Sequence, residues 1–320
     1  MDTSVINKSG CVLVTGGSGL VGRALTELLS CRGFSNVISV GSRDCDLRDA
    51  GAVKNLFADT TPAYVFHMAA CVYGLGGNAK YKSDVLYENV MINTNVVEQS
   101  RRSGVRKIVA MGSGCVYPEL KGQTELFEDQ IWLGPPHSSE DSYAHSKRLM
   151  LAHLQAAKQQ YGLSSAFAIS GNLYGPNDNF NIEDGHVTPS LVAKFFTAKQ
   201  SGQSVKVWGS GVAIRDFSYC SDAAEGLFEM MLKLEGPVNL GSGMRHPIRD
   251  IVNVLHTITG VPVEWDATKP DGQLERYYNL DKLASTGFKP KVGLEEGVRK
   301  TYEWYAANWK TARSAKMERA

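Results

Sequence analysis

The sequence predicts an α/β chain in which a doubly wound parallel sheet carries a smaller mixed lobe. Three observations predict it. Short β-rich runs alternate with longer helical ones through the first half, a glycine-rich turn separates the first strand from the first helix, and the alternation breaks up after Asn172. A βαβα order places the strands in parallel and the helices on both faces of the sheet.

The elements follow in order. Cys11-Val12-Leu13-Val14 reads as a buried strand, followed by the glycine turn and a helix from about Leu20 to Cys31. Val37 to Val40 forms a second strand, residues 50–58 a helix, and Tyr64 to Met68 a third strand. A long helix over 83–103, a strand from Lys107 to Met111, a second long helix from Tyr143 to Tyr161 and a strand from Ala166 to Ser170 complete the series. Tyr174 to Gly185 is rich in Asn, Asp, Gly and Pro, which is loop chemistry. A helix near Thr188 to Ser201, strands at Val205–Trp208 and Val238–Leu240, and a closing helix near Leu294 to Asn308 make up the rest. The expected division is a dinucleotide-binding domain over 1–172 with a return segment at about 213–244. A substrate-binding lobe then occupies 173–320, mainly 173–212 and 245–320.

Composition narrows the function classes. The chain has 320 residues, with 34 Lys+Arg against 33 Asp+Glu and a formal net charge of +1. A nucleic-acid binder needs a concentrated basic face, so no nucleic-acid partner is expected. With 43% hydrophobic residues the chain can bury a sizeable core. No apolar run approaches the ~20 residues that span a bilayer, so no membrane partner is expected. The N-terminus lacks the basic n-region of a secretory signal, which makes a cytoplasmic location the expectation. The six cysteines show no C-x-x-C and no metal-ligand spacing to histidine, so neither a disulfide framework nor a metal site is expected.

Thr15-Gly16-Gly17-Ser18-Gly19-Leu20-Val21-Gly22 fits G-x-G-x-x-G between a strand and a helix. The glycines allow a tight turn, close approach of a pyrophosphate and close helix packing. The helix N-terminus then offers free N–H groups to the phosphates. This is the fingerprint of a Rossmann-type sheet. At the end of the second strand, where an acid would read a ribose 2′-hydroxyl, the chain has Gly41-Ser42-Arg43. Ser42 and Arg43 suit a 2′-phosphate, so NADP(H) is preferred, while Asp44 keeps NAD(H) open.

Tyr143 and Lys147 stand four residues apart on one helix face, and Ser113 follows the Lys107–Met111 strand. A phenol beside an ammonium exchanges protons with a carbonyl oxygen, and the ammonium is expected to lower the phenol pKa. A serine hydroxyl can hydrogen-bond the same oxygen.

With these motifs together, the chain resembles the extended short-chain dehydrogenase/reductase family that modifies nucleotide sugars. Within it, the chain is similar to the enzymes that epimerise and reduce GDP-4-keto-6-deoxymannose. The segments Gly112-Ser113-Gly114-Cys115-Val116-Tyr117-Pro118, Asn172 to Phe180, Gly185-His186-Val187, Val207 to Gly211, Arg215-Asp216-Phe217 and Lys269-Pro270-Asp271-Gly272 carry the likeness. The resemblance implies a catalytic set of Ser113, Tyr143 and Lys147, with Cys115 and His186 moving protons during epimerisation. It implies further cofactor contacts at Asp46, Leu47, Ala69, Met111, Gly112, Ser170, Gly171, Asn172, Leu173 and His186. Substrate contacts carry over to Lys194, Trp208, Arg215 and Asp271. The implied partners are a GDP-linked 4-keto sugar and a second copy of the chain, paired through the helices at 83–103 and 143–161.

The chemistry agrees with the implied set. A C4 ketone acidifies the hydrogens at C3 and C5, and inversion needs one group to take a proton and another to return one from the opposite face. Two departures fall near the expected sugar pocket. Tyr73 replaces the first glycine of the family's A-A-x-V-G-G, and Ser170-Gly171 replace Pro-Thr in its P-T-N-L-Y-G. They leave open a related sugar, a 6-deoxyheptose or a 3,6-dideoxyhexose, with one, two or no carbons epimerised. A catalytically silent NADP(H)-binding module is the reading from a different class. A 4,6-dehydratase is disfavoured, because that reaction wants an Asp-Glu pair where this chain has Gly114-Cys115.

Overall fold

The structure is a computed structural model, and it describes residues 6–72, 80–119, 122–183, 185–268 and 275–314. The chain begins β1 (Val12–Thr15), α1 (Leu20–Cys31), β2 (Val37–Val40), α2 (Ala50–Thr60), β3 (Tyr64–His67), α3 (Lys82–Arg102) and β4 (Lys107–Met111). After β5 (Glu125–Leu126) come α4 (Asp141–Tyr161), β6 (Ser164–Ser170), β7 (Asn172–Tyr174), α5 (Val187–Ser201), β8 (Val205–Trp208) and β9 (Ile214–Tyr219). The remainder is α6 (Cys220–Lys233), β10 (Gly236–Leu240), β11 (Arg245–Pro247), α7 (Ile248–Thr259), β12 (Val263–Asp266), β13 (Glu275–Tyr278), α8 (Asp281–Ala284) and α9 (Leu294–Asn308).

Six strands form one parallel sheet in the order β10-β6-β4-β3-β1-β2. Its core shows the two-residue period of strands. Leu13, Val65, Ile108, Ala110, Phe167 and Ile169 face one side and pack on Phe57 of α2, Val96 of α3 and Met150 and Leu154 of α4. Val12, Val14, Phe66, Val109, Ala166 and Ala168 face the other side and pack on Leu25 and Leu29 of α1 and Leu227 and Met230 of α6. Because both faces are covered, β1 and β3 are buried along their whole length.

The chain runs outward from β1 to β2 and then crosses back to β3 on the opposite side of β1. This reversal opens a crevice at the carboxyl ends of β1 and β3, the place where open α/β sheets bind ligands. Elements end where the residues dictate: Asp49 caps α2 by accepting from Gly51 N and Ala52 N, and α4 stops at Gly162 in a left-handed conformation.

The second lobe has its own core, in which Phe195 of α5, Phe217 of β9, Leu255 of α7 and Tyr302 of α9 meet. Its larger sheet runs β11-β9-β13-β5, with β7 also paired to β9, and β12 pairs β8 separately. Two buried polar side chains join the lobes. Asn239 of β10 donates to Leu126 O at 2.9 Å and Asn279 O at 3.0 Å and accepts from Tyr117 Oη at 2.5 Å. Asp216 of β9 accepts from Ser242 N at 2.9 Å and Gly243 N at 2.8 Å, just beyond β10.

The sequence reading omitted β9, α6 and α7. Nine of the fourteen residues of α6 are buried, and its polar side is a narrow stripe of Ser221, Glu225, Glu229 and Lys233. The strand expected at Val238–Leu240 returns to the first sheet as its edge strand β10, beside β6.

Candidate active site

The crevice begins with the glycine turn. Gly16 adopts φ +70, and a Cβ there would stand 2.7 Å from Ala69 N and 2.8 Å from Ala69 Cα. A Cβ on Gly17 would collide with Ser39 Oγ of β2, and one on Gly22 with the Gly16 carbonyl. The loop is thus a backbone surface pressed between β2 and β3, with Ser18 beside it and Gly19 at the N-terminus of α1, whose first turn with Leu20 and Val21 carries no acidic residue. An N-terminus of this kind is built for an anion.

Ser42 and Arg43 lie exposed just past β2. Asp44 turns its carboxylate back and accepts from Gly41 N at 2.7 Å, so it closes the turn. Asp46 is gripped by Arg48 at 2.9 and 2.8 Å, which holds its carboxyl below the usual range, while Leu47 is buried.

Helix α4 brings the second group of residues up to the carboxyl end of β4. Lys147 is fully buried and donates to Met111 O at 2.8 Å, with its Nζ 5.6 Å from the Tyr143 ring centroid. Burial pushes the Lys147 ammonium down to about 8. Tyr143 is 9% exposed, and burial, then Cys115, Glu140 and Cys71, raise its phenol above the ordinary value. This corrects the expectation that the ammonium lowers it: removal from water is the largest influence on the phenol, and the neighbouring groups that act on it raise it further. A phenol held protonated is suited to giving a proton to a carbonyl oxygen.

Ser113 opens a 3₁₀ turn over Gly114–Val116 and accepts from Cys115 N at 3.4 Å. Cys115 packs with Tyr143, Val85 and Ala144. Burial and then Glu140 push its thiol up to about 12, while Ser113, Arg276 and Lys147 pull it down. Arg148, next to Lys147 in sequence, donates from Nε to Val116 O and from Nη1 to Gly134 O, both at 2.8 Å, which ties this turn to α4. Gly112 N donates to Ala168 O at 2.7 Å, and Ser170 Oγ reaches Gly112 O at 3.5 Å. Gly171, Asn172 and Leu173 follow on the same rim, where Asn172 Nδ2 donates to Asp216 O at 3.4 Å.

The other expected residues take separate positions. His186 N-caps α5 with an exposed ring, and the buried carboxyl of Asp178 stands close enough to feel its charge. Among the described residues no hydrogen bond joins His186 to the Cys115 group. Lys194 of α5 places its ammonium 5.3 Å from the ring centroid of Trp208, which is 66% exposed. Arg215 is in register with Arg276 across β9 and β13, and burial followed by Arg276 lowers its guanidinium pKa. Asp271 and Tyr73 lie outside the described residues.

The sequence reading missed a buried polar chain behind the cofactor crevice. Thr15 Oγ1 donates to His67 Nδ1 at 2.7 Å, and His67 Nε2 donates to Asn93 Oδ1 at 3.1 Å. Burial, then the Lys147 charge, push His67 down to about 3. It also missed Arg276 and Tyr278 of β13. Arg276 donates to the Gly114 carbonyl. Polar residues spaced within the buried strand β3 and the buried face of α3 were the available signal for the first group. The second left none, because β13 is a short strand between loops.

A glycine cradle at the sheet reversal, facing a buried Tyr–Lys pair, defines an enzyme of the dinucleotide-binding short-chain dehydrogenase/reductase type. The chain belongs to the NAD dependent epimerase/dehydratase family, whose profile matches residues 12–241. It is 35% identical over 311 residues to GDP-L-fucose synthase 1 of Arabidopsis thaliana, covering 96% of each chain. A GDP-L-fucose synthetase from Naegleria fowleri, solved bound to NADP, superposes with a TM-score of 0.89 at 31% identity, covering 97% of this chain and 96% of that one. A GDP-6-OMe-4-keto-L-xylo-heptose reductase from Campylobacter jejuni superposes with a TM-score of 0.87 at 27% identity, covering 94% of this chain and 99% of that one. No described helix is long and apolar enough to cross a membrane.

Proposed function

We propose that the chain is an NADP(H)-dependent epimerase/reductase of a GDP-4-keto-6-deoxy sugar, with GDP-4-keto-6-deoxy-D-mannose converted to GDP-L-fucose as the first choice. The observation that carries the reading is that Cys115 and Tyr143 share one buried cluster beside Lys147, so an acid–base thiol and a carbonyl-protonating phenol face the same space. The 35% identity to a GDP-L-fucose synthase across nearly the whole chain supports the nucleotide and the sugar.

The residues present fit the cofactor. The side-chain-free surface of Gly16, Gly17 and Gly22 leaves room for a pyrophosphate against the N-terminus of α1, and exposed Ser42 and Arg43 would hold a 2′-phosphate while Asp44 is engaged with Gly41 N. NADPH supplies the hydride for C4. Ser113 and Tyr143 hydrogen-bond the C4 oxygen and, during proton exchange, hold the enolate charge that develops there. Cys115 takes a proton from the carbon next to the ketone, and His186 returns one from the opposite face. Tyr143 then gives its proton to the C4 oxygen as the alcohol forms, and the Lys147 ammonium steadies the phenolate left behind.

Lys194 with Trp208, and Arg215, hold the diphosphate and sugar, and Asp271 holds the nucleotide ribose. The dinucleotide-binding unit is residues 1–172 with the return through about 213–244, and the remainder binds the sugar nucleotide. The chain pairs as a cytoplasmic homodimer through α3 and α4, which expose Leu86, Tyr87 and Leu149.

A second reading, reduction of C4 alone on a GDP-4-keto heptose, is favoured by the fit to the heptose reductase. The test is NADPH oxidation with GDP-4-keto-6-deoxy-D-mannose. Turnover that disappears in Tyr143→Phe supports the proposal, and absence of turnover with intact cofactor binding overturns it.

A further inference from the structure

We infer that Tyr278 is a specificity-determining residue that hydrogen-bonds the sugar of the substrate; this rests on the function proposed above. Two glycines border the expected sugar site, and neither has the left-handed backbone that demands glycine. What excludes a side chain at both is the same residue. A Cβ on Gly171 would stand 2.9 Å from Tyr278 Cε2, and one on Gly114 would collide with Tyr278 Oη. The ring of Tyr278 therefore fills the space that side chains at 114 and 171 would otherwise occupy, while its hydroxyl lies over the Ser113–Cys115 turn.

Three further observations aim that hydroxyl at the substrate. Burial raises the Tyr278 phenol pKa, and the charges of Arg276, Asp216, Cys115 and Arg215 act on it next, so it sits among the groups that would surround the sugar and its diphosphate. Its ring is fixed from behind by Tyr117, with centroids 6.1 Å apart, and its backbone is paired to Leu126 of β5. The residue is only half-buried, and among the described residues no hydrogen bond engages its hydroxyl. A rigid phenol with a free hydroxyl at the wall of a polar pocket is poised to pair with a ligand oxygen. The site would thus favour a pyranose that carries a hydroxyl or ring oxygen at this wall, and would disfavour a bulkier apolar substituent there.

The experiment uses steady-state kinetics of the full chain with NADPH and GDP-4-keto-6-deoxy-D-mannose. Tyr278→Phe keeps the ring and removes only the hydroxyl. It is expected to raise the KM for the sugar about three- to tenfold, with kcat and the KM for NADPH within about twofold of wild type. Gly171→Ala is expected to push the ring aside and lower kcat/KM for the sugar at least about fivefold, an effect that vanishes when Tyr278→Leu is added. A sugar KM unchanged in Tyr278→Phe, or an equal Gly171→Ala effect in both backgrounds, overturns the inference while leaving the proposed function standing. A wild-type chain that binds NADPH but never consumes it with this sugar overturns the function and the inference together.

Discussion

His67 donates its Nε2–H to Oδ1 of Asn93 across 3.1 Å, with both side chains removed from water. The contact joins the carboxyl end of β3 to α3, and Thr15 extends it to the strand that leads into the glycine turn. Because burial holds His67 near 3 against an ordinary value of 6.5, the folded chain keeps it neutral where the unfolded chain binds a proton. Stability that is present above pH 6.5 is therefore lost as the pH falls toward 3. Between pH 7.5 and 5 the wild type should lose roughly 2 kcal/mol more than His67→Gln in urea unfolding. Equal losses in the two proteins would show that His67 does not govern the acid limb.

Burial of Lys147 carries a cost in stability. Its ammonium is buried with a pKa near 8 against 10.5 unfolded, so the folded state sheds a proton first and gains stability as pH rises between those values. Lys147→Met should remove that rise and stabilise the fold at pH 7 by about 1–2 kcal/mol, after allowing for the lost bond to Met111 O. The same change should lower kcat for reduction by about 10²–10⁴. In the wild type, reduction should decline above about pH 8 as the charge is lost. A Lys147→Met protein that is both less stable and fully active contradicts both statements.

Cys115 is a thiol at rest, since burial carries its pKa to about 12. If it is the base, only a small thiolate fraction is present at neutral pH, and that fraction grows about tenfold per pH unit. Proton exchange into the keto sugar, followed with the reductive step blocked by leaving out NADPH, should rise with that slope between pH 6 and 8. Cys115→Ser should suppress exchange while sparing reduction of an already epimerised substrate. Exchange that persists in the serine variant places the base elsewhere.

The proposed preference for NADP(H) assigns the 2′-phosphate to the exposed guanidinium of Arg43. Arg43→Ala should raise the KM for NADPH about 10–100-fold, the range of charge-assisted hydrogen bonds, and leave NADH kinetics nearly unchanged. An equal effect on both cofactors would remove Arg43 from the 2′-phosphate.

The proposed pairing through α3 and α4 predicts that Leu149→Glu, at a residue 46% exposed on α4, yields monomers of unchanged circular dichroism in light scattering. A wild-type chain that is already monomeric at micromolar concentration contradicts the dimer.

The parts of the fold legible in the sequence are those in which one local pattern decides the structure. The apolar runs of β1 and β3 are buried on both faces, and the helices at 20–31 and 294–308 fall on their expected ends. The glycine turn and the Tyr143–Lys147 spacing are local as well, so both were visible. Residues whose meaning depends on distant partners were not. Asn93 looks like an ordinary helix polar residue until His67 is placed beside it, and Tyr278 gains its position only when β13 pairs with β5 and β9. The phenol pKa follows the same rule: the sequence displays the neighbouring lysine but not the burial that raises the phenol.

If epimerisation and reduction share one site, an isotopic measurement shows it most directly. The chain is incubated with NADPH and GDP-4-keto-6-deoxy-D-mannose in deuterated water, and the product is read by NMR and mass spectrometry. The expected result is NADPH oxidation and GDP-L-fucose bearing solvent deuterium at both C3 and C5. A reduced product without deuterium at either carbon would contradict it.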